Sequence, residues 1–268
     1  MYASVVNHVA AGLKGKADVY DIVVPTSVGI TFPDNKTSKV NSTNQKKSIH
    51  SIYKKMNRQV KTVSLYDTLM SHRKEYIYFR TDHHWTTLGA RYAYQSAAGL
   101  MGLPGAENGE EKKLYPVSDS FQGTLAARSG YRVPNDTIKV YWPDQEEDLV
   151  VTYVQEQTKS ASLYAAEKLK TRDKYGIFLN GNHPLTEIRT MASTGRKLLL
   201  IKDSYANCFL PFLIPYYKSI TVVDPRYYYD DLDKLIEEQG IQEILFLYNA
   251  NTFFSDDSLN EILKKEVK

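Results

Sequence analysis

A single cysteine, Cys208, serves the whole chain of 268 residues, so neither an internal disulfide nor a cysteine-rich zinc site is open to it. Long apolar runs are missing too. None approaches the roughly 20 residues that cross a bilayer as a helix, and the opening MYASVVNHVAAGLKG lacks the apolar core of a signal peptide. The expectation is either a cytosolic protein or one parted from an N-terminal anchor. Charge of one sign is also absent: 34 Lys and Arg against 31 Asp and Glu leave a formal +3, which gives no footing for binding nucleic acid. Trp is scarce at 2 residues and His at 6, whereas Tyr reaches 21, a bias that suits carbohydrate or peptide surfaces. With 42% hydrophobic and 24% charged residues, the chain can bury the core of one large domain or two small ones.

Residues 1–14 read as an amphipathic helix, and residues 20–24 as a buried strand stopped by Pro25. The polar stretch 31–45 reads as an exposed loop, followed by a helix near residues 46–59, the strand VKTVSLYD and a helix beginning near Thr87. Strands alternating with helices predict a parallel sheet covered on both faces. After Met101 the character changes. GLPGAENGEEKK reads as a linker, and the alternating runs DTIKVYW and DLVVTYV as antiparallel hairpins. The expected division is therefore residues 1–100 as a first α/β part, 101–194 as an inserted or bridging β-rich region largely outside the main sheet, and 195–268 as a second α/β part. KLLLI, SITVVD, the helix DDLDKLIEEQG and EILFLYN resume the α/β pattern. There is no internal repeat.

Two stretches carry candidate chemistry. KLLLI is a continuous apolar strand ending at Lys202-Asp203-Ser204, and an apolar helical stretch starts at once. Ser204 is thus expected at the carboxyl end of a strand, where open parallel sheets bind ligands, with free N–H groups and a helix dipole that favour an oxyanion. A plain N-cap role for Asp203 or Ser204 is the competing reading. In RTDHHWTTLGARYAY, residues two apart share a side of an extended segment, so Asp82 and His84 lie together about 6.5–7 Å apart at Cα, and His83 faces away. A carboxylate so placed fixes the imidazole tautomer and frees Nε2 to take a proton from a hydroxyl. The alternatives are a metal site with His72 or His183, which adjacent His83 and His84 cannot chelate from one face, a helix cap at Thr86 or Thr87, and a His83 merely packed against tyrosines.

A serine at one strand end and Asp-x-His at another is what a serine hydrolase or acyltransferase needs. TDHHWTTLGARYAY, LLLIKDSYANCFLPFL and VVDPRYYY together resemble the bacterial DHHW protein family, which is similar to alginate O-acetyltransferase proteins with an SGNH-hydrolase-like domain. SDSFQGTLA and FLNGNHPL also resemble the family, and the likeness spans residues 20–251. SGNH hydrolases carry the Ser strand first and the Asp/His motif last. Reading this chain from residue 197 to its end, and then from residue 20, restores that order. The expected fold is an α/β, SGNH-hydrolase-like three-layer sandwich with a parallel sheet, a circularly permuted motif order and the inserted β-rich region. Two departures stand out: Lys202 replaces the usual Gly of Gly-Asp-Ser, and Asp82 and His84 are two apart, as in the acetyltransferase branch.

The resemblance implies a Ser204–His84–Asp82 triad in an O-acetyltransferase or acetylesterase that acts on a cell-envelope or secreted polysaccharide outside the cytoplasm. It also implies a membrane-bound acyltransferase as acetyl source, and neither metal nor other cofactor. The oxyanion side chain stays open among Asn251, which aligns best with a Gly-x-Asn pattern, Asn249 and Asn182, with Tyr205 a further substrate-binding candidate. The rival reading is a non-catalytic glycan-binding or scaffold module.

Overall fold

The computed structural model describes residues 2–32, 44–104, 114–131, 133–142, 148–255 and 258. Most of the loop expected over residues 31–45, and most of the linker expected after Met101, lie outside the described residues. The strands in chain order are β1 (Asp18–Val24), β2 (Val60–Thr62), β3 (Leu114–Phe121), β4 (Asp136–Tyr141), β5 (Leu149–Tyr153), β6 (Thr158–Ser160), β7 (Leu185–Thr190), β8 (Lys197–Lys202), β9 (Ser219–Val223) and β10 (Glu243–Asn249).

Five of them lie side by side, all parallel, in the order β2-β1-β10-β8-β9. Their apolar runs explain why. Leu198 and Leu200 of β8 enter one core cluster, while Leu199 and Ile201 enter the other. The same split divides Leu245 and Leu247 from Ile244 and Phe246 in β10. Alternation in a strand sends successive side chains to opposite faces, so a strand apolar at every position is stable only between two covering layers. Helices Tyr2–Gly12, Gln45–Tyr53 and Leu232–Gln239 cover one face through Val5, Val6, Val9, Ile49, Leu235 and Ile236. Helix Thr87–Ala98 covers the other with Ala90, Ala93, Tyr94 and Ala97. The result is the three-layer sandwich.

Read from β8, the five parallel strands run β8, β9, β10, β1, β2, and their order in space becomes 2-1-3-4-5. That is the flavodoxin-like doubly wound order, entered in mid-sheet by this chain. The permuted order expected from the motifs is therefore the order of the fold.

The middle region departs from expectation. β3 and β4 do form a separate antiparallel pair, but β7, β5 and β6 do not stay outside the sheet. β7 pairs antiparallel with β9, β5 with β7 and β6 with β5, which extends the sheet to eight strands. The physical reason is the open side of β9: a long edge strand presents unpaired N–H and C=O groups, and natural sheets cover it. A second difference follows Ser204. Instead of one helix there are three short 3-10 turns, Ser204–Cys208, Leu210–Phe212 and Ile214–Tyr216. Pro211 and Pro215 lack the N–H that an α-helix interior requires.

Candidate active site

β8 delivers Ser204 at its carboxyl end, and Asp203 shapes the turn. Asp203 Oδ1 accepts from the Tyr205 N–H at 2.8 Å, as an N-cap does. Its Oδ2 accepts from the Asn249 N–H at 2.8 Å and from Asn249 Nδ2 at 2.6 Å. One carboxylate thus joins the ends of β8 and β10, the strands flanking the switch point where such sheets hold ligands. Burial raises the affinity of the Asp203 carboxyl for a proton, and the Asn249 and Tyr205 donors oppose that. The short 3-10 turn replaces the helix dipole expected here, leaving the Ser204 N–H, which opens the turn without an intrahelical partner.

The Asp82–His84 segment is a clamped turn. Buried Asp136 accepts from the N–H groups of Arg80 and Thr81 and from Thr81 Oγ1. Asp82 Oδ1 accepts from the His84 N–H at 3.0 Å and from His84 Nδ1 at 2.5 Å. Asp82 Oδ2 accepts from the Thr124 N–H at 2.9 Å and from its hydroxyl at 3.0 Å. Gly123 permits this approach, because a Cβ there would lie 2.2 Å from Asp82 Cβ. His84 Nε2 then lies 2.7 Å from Ser204 Oγ. All three side chains are buried.

Two aromatic residues complete the frame. The Tyr175 ring stacks on His84 with centroids 3.7 Å apart and planes within 7°, and its hydroxyl donates to the Ser204 carbonyl at 3.1 Å. Trp85, fully buried, donates from Nε1 to the Tyr205 carbonyl at 2.9 Å.

Burial and Asp82 act on His84 in opposite directions. Burial pushes His84 down to about 4, against the pull of Asp82. Burial alone would raise Asp82, but the hydrogen bond and charge of His84 hold it well below the usual carboxylate range. Near neutrality the pair is a carboxylate and a neutral imidazole. With Nδ1–H donating to Asp82, Nε2 is left to accept from the Ser204 hydroxyl.

Two expectations about this segment change. It is a bend in which Asp82 bonds the backbone two residues on, not an extended strand. The alternation argument therefore fails for His83, whose ring lies 3.8 Å from that of His84 and whose Nδ1 contacts Thr124 Oγ1 at 2.7 Å. One ligand atom each from Asp82, His83 and His84 lies within 4.8 Å of the others, closer than adjacency in sequence suggested. Both His84 nitrogens and His83 Nδ1 already have partners in this arrangement, so it leaves His83 Nε2 as the imidazole nitrogen uncommitted for a cation.

The oxyanion candidates separate clearly. Asn249 Nδ2 donates to Asp203 and to Thr252 Oγ1, and an amide nitrogen has only two hydrogens; it braces Asp203. Asn251 is exposed on helix Ala250–Ser255, its backbone N–H donating to Asn249 Oδ1. Tyr205 is buried, its N–H committed to Asp203 and its hydroxyl to the His83 carbonyl. Asn182 accepts at Oδ1 from Lys202 Nζ and Asn207 Nδ2, and its own N–H groups have no partner among the described residues. Sequence reasoning quoted the stretches holding Trp85, Gly123 and Thr124 without giving them roles. Tyr175, one of 21 tyrosines, carries no sequence signal.

A permuted doubly wound sheet with Ser204 and the Asp82–His84 turn meeting at its switch point defines an SGNH-hydrolase-like fold. The chain belongs to the DHHW protein family, which matches residues 1–223. It is similar to a DHHW family protein from Eubacterium siraeum, with 29% identity and a TM-score of 0.85 over 97% of this chain and 87% of that one. Bacillus cereus PatB1 with a sulfonyl adduct shares the fold at 20% identity and a TM-score of 0.75, over 96% and 89% of the two chains. The O-acetyltransferase domain of Pseudomonas putida AlgJ does so at 12% and 0.50, over 98% and 89%. Among curated proteins none matches significantly.

Proposed function

We propose that this protein is a serine-dependent O-acetyltransferase, or the corresponding acetylesterase, acting on a polysaccharide of the cell envelope or outside it. The observation that carries the reading is the buried hydrogen-bonded chain from Asp82 through His84 to Ser204, 2.5 Å and 2.7 Å long at its two links. The presence of an O-acetyltransferase domain among the proteins of like fold supports the acetyl group as cargo.

Ser204 Oγ attacks the carbonyl carbon of an acetyl ester as its proton passes to His84 Nε2, and the carbonyl electron pair moves onto oxygen. The Ser204 N–H and a side-chain amide hold that oxyanion. Collapse breaks the bond to the donor's alkoxide, which takes the proton from His84 and leaves acetyl-Ser204. An acceptor hydroxyl then gives its proton to His84 and attacks the acetyl carbon. The second collapse returns the electron pair and proton to Ser204 Oγ, and the acetyl group stays on the acceptor. With water as acceptor the product is acetate. Asp82 orients His84 and stabilises the imidazolium throughout.

A cleft of about 380 Å³ lined by Gln122, Tyr131, Arg172 and Lys174 adjoins the segment of Thr124, whose N–H and hydroxyl hold Asp82. By the family resemblance the setting is extracytoplasmic and a membrane-bound acyltransferase supplies the acetyl group. Among the described residues no helix is long and apolar enough to cross a membrane.

A fluorophosphonate probe and a small activated acetyl ester test the reading together. The wild type is expected to label at Ser204 and to hydrolyse the ester slowly, with chelator making no difference. Ser204→Ala is expected to lose both label and turnover. Equal turnover in folded Ser204→Ala would leave the scaffold-module reading standing, and loss to chelator would point to a metal.

A further inference from the structure

Lys202 sits two residues before the nucleophile, where the Gly-Asp-Ser pattern has glycine. A side chain there is costly to bury as a cation, yet Lys202 is 1% exposed. Its Nζ donates to Asn182 Oδ1 at 2.8 Å and lies 3.5 Å from Asp224 Oδ2. Asp224 has a second cation, accepting from Arg226 Nε at 2.8 Å and Nη2 at 2.6 Å.

An ammonium has three donors and no acceptor. The atom of Asn182 that faces it must therefore be oxygen, and Asn207 Nδ2 repeats the demand at 3.2 Å. The amide nitrogen has no hydrogen-bond partner among the described residues. Asn182 itself is exposed. Asn207 stands three residues after Ser204 in a 3-10 turn, where residues three apart project from the same face. Its hydrogen bond holds Asn182 beside the turn that Ser204 opens.

The backbone leading to Asn182 is strained in the same cause. Leu179, Asn180 and Gly181 all hold positive φ, at 58°, 56° and 98°. A leucine in that region costs free energy and persists only where its surroundings impose it, as at functional sites.

We propose that Lys202 is a positioning residue that fixes the Asn182 amide with its N–H toward the acyl oxygen at Ser204, making Asn182 the side-chain oxyanion donor. The inference rests on the serine mechanism above. It accounts for the loss of glycine from the motif: the lysine aims the donor from behind.

Lys202→Met keeps the stem and removes the ammonium, while Arg226 still pairs Asp224, so no charge is stranded. On the small acetyl ester, kcat is expected to fall about 100-fold with KM little changed. Asn182→Ala is expected to fall equally, and the double variant no further than either, because both act through one amide. A lysine with only a structural role would lower Tm, and its effect would multiply with that of Asn182→Ala. Wild-type kcat in folded Lys202→Met, or multiplying effects, would overturn the proposal. Should Lys202→Met fail to fold, exposed Asn182→Asp keeps the contact with Lys202 but offers no N–H, and wild-type kcat in that variant overturns it as well. Crystals of Asn182→Asp and of the wild type separate the two readings. If the wild type shows no esterase activity the serine mechanism fails, whereas an Asn182 amide in wild-type crystals with Oδ1 away from Lys202 removes the Lys202 inference by itself.

Discussion

Trp85 Nε1 and the Tyr205 carbonyl, 120 residues apart in sequence, meet in a buried hydrogen bond of 2.9 Å. Each residue adjoins a member of the Asp82–His84–Ser204 chain, so this bond ties the turn of His84 to the turn of Ser204. The last letter of the Asp-His-His-Trp motif thus fastens the histidine before it to the segment of Ser204.

Trp85→Phe keeps an aromatic ring but loses the hydrogen bond and leaves a small void. The expected destabilisation is about 2 kcal/mol, read as a lower midpoint in urea. Turnover of the small ester by the folded variant is expected to drop more than KM rises, because the spacing between His84 and Ser204 relaxes. Unchanged turnover would separate the tryptophan from the site.

The pH profile follows from His84. In the proposed mechanism His84 must be neutral to accept the Ser204 proton, and burial depresses its pKa to about 4. Activity should therefore be present above that value and disappear as pH falls through it. kcat/KM for the ester is expected to stay level from pH 8 down to about 5, with the acid limb below the ordinary histidine value of about 6.5. A limb at 6.5 or higher would contradict the buried environment of the ring. His83→Ala, which leaves the Asp82–His84–Ser204 bonds intact, should keep most of the turnover.

Asp21 makes a prediction about stability instead. It lies fully buried in β1, with Tyr2 donating to Oδ2 at 2.6 Å, and burial raises it to about 7 against a usual 3.8. A carboxyl raised in the folded state binds its proton there more tightly than in the unfolded chain. Its contribution is present below about pH 4 and is lost as pH rises to about 7. Asp21→Asn, which cannot ionise, is expected to stabilise the protein at pH 8 by on the order of 4 kcal/mol at most and to change little at pH 4. A thermal melt at the two pH values checks this, and an equal effect at both would contradict it.

How far the sequence could be read depended on the range of the forces involved. The five parallel strands and their permuted order were legible because each strand announces itself: β8 carries the apolar run Leu198–Ile201 and β10 the run Ile244–Leu247, and the motif-bearing turns mark their carboxyl ends. The pairing of Asp82 with His84 was legible from spacing, although the reason differs. Asp136, more than 50 residues away, bends the segment into a turn, and no local pattern announces that. Asn249 looked as eligible for the oxyanion as Asn182, because only the fold reveals that Asp203 takes up its amide. β4 and β5 read rightly as antiparallel strands, but the place of β5 in the main sheet, reached through β7, depends on the free side of β9, a property of the assembled sheet.

The central position of β10 sets a schedule for folding. β10 lies between β1 and β8, pairing Asp18 through Val24 with Glu243 through Asn249, yet it follows every other strand of the sheet in the chain. A ribosome releases β1 long before its neighbour exists, and β8 waits for the same partner. Sheets dominated by such distant pairings form slowly, because loop closure must come before the contacts that reward it. The turn of His84 and the turn of Ser204 therefore cannot be brought to their final separation until the middle of the sheet is filled, and a nascent chain halted before β10 carries both residues without the contact between them.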